Sequence, residues 1–311
     1  MGRIGNTDLE ARPFALGGNV FGWTADRDGS FAVLDAYTEA GGTFVDTADV
    51  YSAWVDGNSG GESETVIGEW LTSRRNRDDV VIATKVGGHP RLRGLKSDTV
   101  KRAAEESLRR LGTDHIDLYY AHFDDPETPV AETLGALDQL VNEGKVRYIG
   151  ASNFTAERLA ESLAHSEAEG IVRYEAFQPH YNLVSRDTYE GELADTVRAH
   201  GLGALPYYAL ASGFLTGKYR PGQEVDSARA GKAGEYLRSE RGQKVLAALD
   251  RVAGEQGAEI PTIALAWLMS RPTVVAPIAS ARTVGQLGAL LAVDDVELAP
   301  EQLVLLDDAS A

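Results

Sequence analysis

The 311-residue chain has no cysteine, which excludes a disulfide scaffold, a thiol nucleophile and thiolate-held zinc or iron–sulfur centres. No run approaches the ~20 apolar residues of a membrane span. The start, Met1-Gly2-Arg3-Ile4-Gly5-Asn6-Thr7-Asp8, lacks the apolar core of an export signal. A soluble cytoplasmic protein is expected, in which Asn153-Phe154-Thr155 is not a glycosylation site. Positive charge is also short: 30 Lys and Arg against 47 Asp and Glu give −17, a field that opposes nucleic acid and anionic lipid. An anionic ligand therefore needs a local basic pocket. The six histidines, at 89, 115, 122, 165, 180 and 200, form no pair at metal spacing on one helix face, so no metal is expected.

Hydrophobic residues make up 43% of the chain, enough for a sizeable core. Short β-branched or aromatic runs alternate with segments of helical period. Eight strands can be counted: Phe14–Leu16, Thr43–Asp46, Val80–Lys85, Ile116–Ala121, Val146–Gly150, Tyr174–Gln178, Leu202–Pro206 and Thr273–Pro277. Helical stripes include Val100, Ala103, Ala104, Ser107, Leu108 and Leu111, and Val130, Leu134, Leu137 and Val141. Thr128 before Pro129 predicts an N-cap with Pro at the first helical position, and Gly112 and Gly144 predict helix ends. The pattern predicts one α/β domain over residues 1–311, a closed (β/α)8 TIM barrel. The strand-free stretch Ala209–Arg238, rich in glycine, predicts a mobile loop over the strand ends.

Two nucleotide motifs fail. Gly17-Gly18-Asn19-Val20-Phe21-Gly22 lacks the dinucleotide fingerprint spacing, and Gly213-Phe214-Leu215-Thr216-Gly217-Lys218-Tyr219 is one residue short of a P-loop, with Tyr in place of Ser or Thr.

Ligands of a parallel barrel meet the carboxyl ends of its strands. Asp46 closes the second predicted strand, with Tyr51 on the loop beyond; Lys85 closes the third; His122 follows the fourth. Without metal or thiol, these four suit proton donation. A phenol with a pKa of about 10 is a weak acid at neutral pH, and an ammonium ~4 Å away stabilises the phenolate by up to ~4 kcal/mol, roughly three pKa units. Lys85 fits that role, Asp46 keeps Lys85 charged, and His122 can hold a substrate oxygen in line. Ser152, Asn153 and Gln178, at the next strand ends, suit the edge of a carboxamide, and Tyr207 offers an aromatic face.

Phe44-Val45-Asp46-Thr47-Ala48-Asp49-Val50-Tyr51, Leu111-Gly112-Thr113-Asp114-His115-Ile116-Asp117-Leu118-Tyr119-Tyr120-Ala121-His122, Gly144-Lys145-Val146-Arg147-Tyr148-Ile149-Gly150-Ala151-Ser152-Asn153-Phe154 and Gln178-Pro179-His180-Tyr181-Asn182-Leu183 together resemble, in order, signatures of the aldo-keto reductase superfamily. The likeness runs from about residue 4 to about residue 292. It implies an oxidoreductase that uses NADPH/NADP+, with NADH possible, to interconvert a small-molecule carbonyl (aldehyde, ketone or sugar-derived) and its alcohol. Tyr51 would be the general acid, tuned by Lys85 and Asp46, with His122 orienting the carbonyl.

The resemblance further implies that Ser152, Asn153 and Gln178 hold the carboxamide, Tyr207 stacks on the nicotinamide, and Gly18 and Asn19 line the first loop. Leu210, Ala211, Gly213 and Lys218 would embrace the pyrophosphate. Ala279, Ser280, Arg282 and Gln286 would form the adenosine-phosphate site, a helix N-terminus with an arginine. Leu290 stands where many members carry Asn, and the chain lacks the long carboxyl-terminal loop of some mammalian members. Gly29, Trp23, Trp54 and the 209–238 stretch are candidates for shaping substrate access, with core packing as the other reading of Trp54. Two other functions fit the same residues: a coenzyme-binding interaction protein resembling channel-associated β subunits, and a barrel hydrolase or lyase using Asp124 or Asp125 beside His122, although those acids more readily form a solvated loop. Oligomeric state is not set by the sequence.

Overall fold

Parallel pairing of short, buried segments organises the computed structural model, which describes residues 2–223, 225 and 230–311. The segments are β1 (Ala15–Gly17), β2 (Phe44–Asp46), β3 (Val81–Val86), β4 (Ile116–Ala121), β5 (Val146–Ser152), β6 (Tyr174–Gln178), β7 (Gly203–Ala204) and β8 (Ile278–Ala279). Their order is β8-β1-β2-β3-β4-β5-β6-β7. A parallel bridge between Ala204 and Val274 and a Val275 N–H bond to the Ala204 carbonyl (2.9 Å) tie β7 to the segment that leads into β8. The sheet is thus a closed (β/α)8 barrel, as expected from the alternation of segments.

The eighth strand differs from expectation. Residues 273–275 form the seam with β7, and the ladder to β1 comes later, with Ala15 opposite Ile278 and Leu16 opposite Ala279. Pro277 has no N–H to give; it contributes only its carbonyl, which accepts from Ala15 (3.0 Å). Pro206 likewise falls outside β7 and accepts from Ile278 (2.8 Å).

Two apolar layers follow from the alternation of side chains. Ala15, Phe44, Ala83, Leu118, Tyr120, Ala176, Leu205 and Ala276 fill the barrel together with Ile4, Leu9 and Ala11. The last three belong to an N-terminal segment whose turn, with an antiparallel Arg3–Glu10 bridge, plugs the amino-terminal end. Gly203 permits this: a Cβ there would lie 3.0 Å from the Gly5 nitrogen. The plug leaves the carboxyl end for a ligand.

Helices cover the outer layer: α1 (Arg27–Glu39), α2 (Glu62–Arg74), α3 (Ser97–Leu111), α4 (Val130–Asn142), α5 (Ala156–Glu169), α6 (Glu192–Ala199), α7 (Ala230–Arg238), α8 (Glu240–Gln256), α9 (Ile260–Met269), α10 (Leu287–Leu291) and α11 (Pro300–Ser310). The stripe predicted for α3 is its buried face, and Gly112 ends it with a φ of 64°. The predicted start of α4 is off by one residue: Pro129 is the N-cap, and the Thr128 hydroxyl donates to Asp125 instead (2.7 Å). Part of the expected loop 209–238 is helical, in a 3-10 turn over Ala211–Thr216 and in α7; residues 224 and 226–229 of it lie outside the described residues.

Candidate active site

Asp46 ends β2 and Lys85 lies near the end of β3, both pointing inward and almost wholly buried. Lys85 Nζ donates to Asp46 Oδ2 (2.7 Å), to the Thr47 carbonyl (2.7 Å) and to the Tyr51 hydroxyl (2.8 Å). All three ammonium hydrogens are used, which is how a buried lysine is held. Tyr51 reaches this point because a turn links its N–H to the Ala48 carbonyl (3.2 Å). Ser52, at a φ of 70°, pins the loop by donating to the Phe21 carbonyl (2.8 Å). The Tyr51 hydroxyl also lies 3.3 Å from Asp46 Oδ2.

His122 follows β4, its backbone bonded to Val86 (3.0 Å), its ring centroid 6.2 Å from that of Tyr51 and 4.4 Å from that of Phe123, on which it stacks. Burial and the nearby Lys85 ammonium hold its pKa well below 6.5, so it is a neutral imidazole at physiological pH. The tuning of Tyr51 runs against the expectation from sequence. Burial first, and the Asp46 carboxylate second, raise its pKa well above 10. Burial also lowers that of Lys85, opposed by Asp46. Desolvation and the Asp46 carboxylate set the direction, and Tyr51 keeps its proton.

The later strand ends form a connected neutral network. Gln178 Nε2 donates to Asp46 Oδ1 (2.9 Å), and the Ser152 hydroxyl donates to the Gln178 carbonyl (2.8 Å). Asn153, at a φ of 56°, donates to the His122 carbonyl (2.8 Å) and to Ser152 (3.0 Å), while Tyr207 donates to Asn153 Oδ1 (2.7 Å). These groups, expected to face a carboxamide, also brace one another and the carboxylate under Lys85. Beside them Tyr208 holds a strained φ of 54°, its carbonyl clamped by Asn182 (3.0 Å).

The predicted phosphate segments flank this rim. Gly213 has a φ of 89°, and a Cβ on it would sit 3.6 Å from Lys218 Nζ, so bare backbone and an ammonium lie side by side. Leu210 and Ala211 lead into the same turn. At the seam the Ser280 hydroxyl donates to Asn19 Oδ1 (2.7 Å), and an added Cβ on Gly18 would meet Ser63 Oγ at 2.9 Å. Ala279 lies in β8, and Gln286 Oε1 accepts from the Arg282 N–H (2.8 Å). Neither Lys218 nor Arg282 forms an ion pair with a described residue. Both cations can meet an anion without first leaving a carboxylate. Leu290 is buried in the core.

The Aldo/keto reductase family model matches residues 13–311. The chain belongs to the aldo/keto reductase family. It is 34% identical to an uncharacterized oxidoreductase, YrpG, of Bacillus subtilis, over 98% of this chain and 94% of that one. It is also 31% identical to the NADP(+) aryl-alcohol dehydrogenase of Phanerodontia chrysosporium, over 95% of this chain and 78% of that protein. Norsolorinic acid reductase stcV of Emericella nidulans is 33% identical, over 96% and 78% respectively. As an aldo/keto reductase the chain is an oxidoreductase of a family that acts on small-molecule carbonyls. No described helix is long and apolar enough to cross a membrane.

This aldo/keto reductase details two placements from sequence and adds one group. Asp124 and Asp125 lie in a loop, as expected, but are half-buried and held: Asp124 pairs with Arg158 (2.9 Å), and Asp125 accepts from the Leu95 N–H (2.8 Å) and from Thr128. Gly29 sits in the first turn of α1, its N–H capped by Asp26 (2.8 Å). The Thr47 carbonyl, the third acceptor of Lys85, carries no side-chain signal and is visible only in the fold. Trp54 is half exposed, edge-on to Trp23 (5.6 Å) and to Tyr51 (6.2 Å), so it borders the site instead of packing in the core.

Proposed function

We propose that this aldo/keto reductase is an NADP(H)-dependent carbonyl reductase, working in either direction, with Tyr51 as the proton donor. The observation that carries it is the single Lys85 ammonium shared between Asp46 Oδ2 at 2.7 Å and the Tyr51 hydroxyl at 2.8 Å. The nicotinamide, when bound, supplies or removes the hydride. The chain's own groups do the rest. Tyr51, protonated by virtue of burial, gives its proton to the carbonyl oxygen as negative charge builds there, and Lys85 stabilises the phenolate left behind. Asp46 keeps Lys85 charged, and Gln178 and the Thr47 carbonyl keep Asp46 and Lys85 in place. Neutral His122 offers a hydrogen bond to the same carbonyl oxygen.

Ser152, Asn153 and Gln178 would meet the carboxamide, and Tyr207 the nicotinamide face. Gly18, Asn19, Leu210, Ala211, Gly213 and Lys218 would line the pyrophosphate path, and Ala279, Ser280, Arg282 and Gln286 the 2′-phosphate end. Residues 1–311 act as one unit in the cytoplasm in this scheme. The half-exposed aromatic rim of Trp54, Phe123 and Tyr208 and the named activity of the Phanerodontia relative favour a flat aromatic carbonyl as substrate.

The test is Tyr51→Phe, assayed by coenzyme consumption over a panel of aldehydes and ketones. Coenzyme affinity stays within about twofold and reduction falls by ~10²-fold or more. An equally active variant removes Tyr51 from the chemistry. Coenzyme binding by the wild type with negligible turnover across the whole panel favours an interaction protein instead.

A further inference from the structure

Behind the barrel wall, on the face of β3 and β4 opposite Lys85, lies a second polar cluster that the reaction does not touch. Asp49 is 1% exposed, and neither of its carboxyl oxygens has a hydrogen-bond partner of acceptable geometry among the described residues. His89 Nε2 and the Tyr119 hydroxyl, also buried, are unpartnered as well. Gly60 closes over this space: a Cβ on it would lie 2.9 Å from His89 Nε2 and 3.1 Å from the Asp49 carbonyl. Unpaired buried polar groups are rare and costly, and here several converge on one place.

The two cations that act on Asp49, Arg110 and Lys85, are engaged by other carboxylates. Arg110 from α3 is bound to Glu64 of α2 (2.6 Å) and reaches Glu106, and Glu64 also accepts from Thr84 on β3 (2.6 Å). Lys85 is taken by Asp46. Tyr119, on β4, lies within electrostatic reach of Asp49, and His89, just after β3, lies with the Asp49 carbonyl against Gly60. Burial and Glu64 raise the Asp49 pKa well above 3.8, against Arg110, Lys85 and the Gly87 N–H.

Asp49 is built into the turn that delivers the proton donor. Its N–H donates to the Lys85 carbonyl (3.3 Å), and the turn from Ala48 to Tyr51 wraps around it. We propose that Asp49 is a positioning residue for Tyr51 and Lys85: as a neutral carboxylic acid it pins this turn to the His89–Tyr119 layer through an internal water. The role rests on the reductase reading, because it acts through Tyr51. Ionisation would place an unpaired charge in that layer and loosen the turn.

The test compares the full chain with Asp49→Asn, which copies the neutral acid, and Asp49→Ala, which removes it. An unfolded aspartate ionises near pH ~3.9, so from there upward the unfolded chain releases a proton that the fold retains, and wild-type stability drops as pH rises. The unfolding temperature of Asp49→Asn relative to wild type should therefore climb as pH rises above about 4. A difference that is flat or shrinks with pH overturns the proposal. In turnover, Asp49→Asn stays within about threefold of wild type at neutral pH and moves the alkaline fall of kcat upward. Asp49→Ala loses about tenfold or more in kcat with coenzyme KM unchanged, since small misplacements of a reacting group are costly. Equal damage from Asn and Ala, or an alkaline limb that does not move, also overturns it. A wild type that turns over no carbonyl sinks the reductase reading and the positioning role with it, while the unfolding series still decides whether Asp49 holds its proton.

Discussion

The two halves of the barrel rim are built differently. At the ends of β2, β3 and the loop between them, Asp46, Lys85 and Tyr51 are charged or ionisable groups within 3.3 Å of one another, tightly partnered, the first two buried and Tyr51 partly so. From β5 to β8 the rim carries neutral amides and hydroxyls, followed by loops with isolated cations at Lys218 and Arg282. The first half suits bond making: its charges are desolvated, so each interaction is strong and each loss is expensive. The second half suits holding: its groups satisfy one another without a ligand, and its cations remain in contact with solvent until an anion arrives. Substitutions in the two halves should therefore fail in different ways.

The largest effect is expected at Lys85. Lys85→Met leaves the Asp46 carboxylate buried with only Gln178 and Tyr51 to bond it, and breaking a buried pair from one side costs about 3–5 kcal/mol. Urea unfolding should show that loss, and carbonyl reduction should fall by at least ~10²-fold. The double variant Asp46→Asn with Lys85→Met regains most of the stability, because no lone charge is left, and none of the activity. If the double variant is as unstable as the single one, the pair is not the source of the cost and the contrast between the halves is lost.

Arg282→Ala should do the reverse, leaving stability within about 0.5 kcal/mol and weakening the coenzyme. Loss of one charge-assisted contact to phosphate is worth about 1.5–3 kcal/mol, or roughly tenfold or more in Kd. Only NADPH carries the 2′-phosphate, so fluorescence titration should show that loss for NADPH and little change for NADH. Equal losses for both coenzymes would show that Arg282 does not read that group.

How far the sequence disclosed these halves follows from where the information lies. Asp46, Lys85 and His122 were legible because period-2 strands put them on one rim, and Tyr51 because it stands in a motif five residues beyond Asp46. Strand β8 was misplaced because its segment serves two neighbours in turn, and a proline without an N–H divides the jobs; nothing local to 273–279 marks which residue begins the second ladder. The direction of the Tyr51 pKa was hidden for another reason. Pairwise attraction to Lys85 can be argued from residue types, whereas desolvation depends on the whole fold. Bonds to main-chain carbonyls, such as Lys85 to Thr47, leave no trace in residue type at all.

The smallest effect concerns His122, which sits where the two halves meet: its ring faces Tyr51 and its carbonyl is held by Asn153. Because burial keeps its folded pKa well below 6.5, the unfolded chain takes up a proton that the fold refuses as pH drops below about 6.5. Stability must then fall with acidification, by up to about 1.4 kcal/mol per pH unit for this one group until its folded pKa is reached. His89 and His180 are lowered in the same direction, so His122→Gln should flatten the acid side of the stability curve only in part. Denaturant unfolding from about pH 7 to about pH 5 measures this slope. An unchanged slope would mean that His122 already gains its proton in the folded state, and a charged imidazole beside Lys85 would move the carbonyl-binding corner out of the neutral half of the rim.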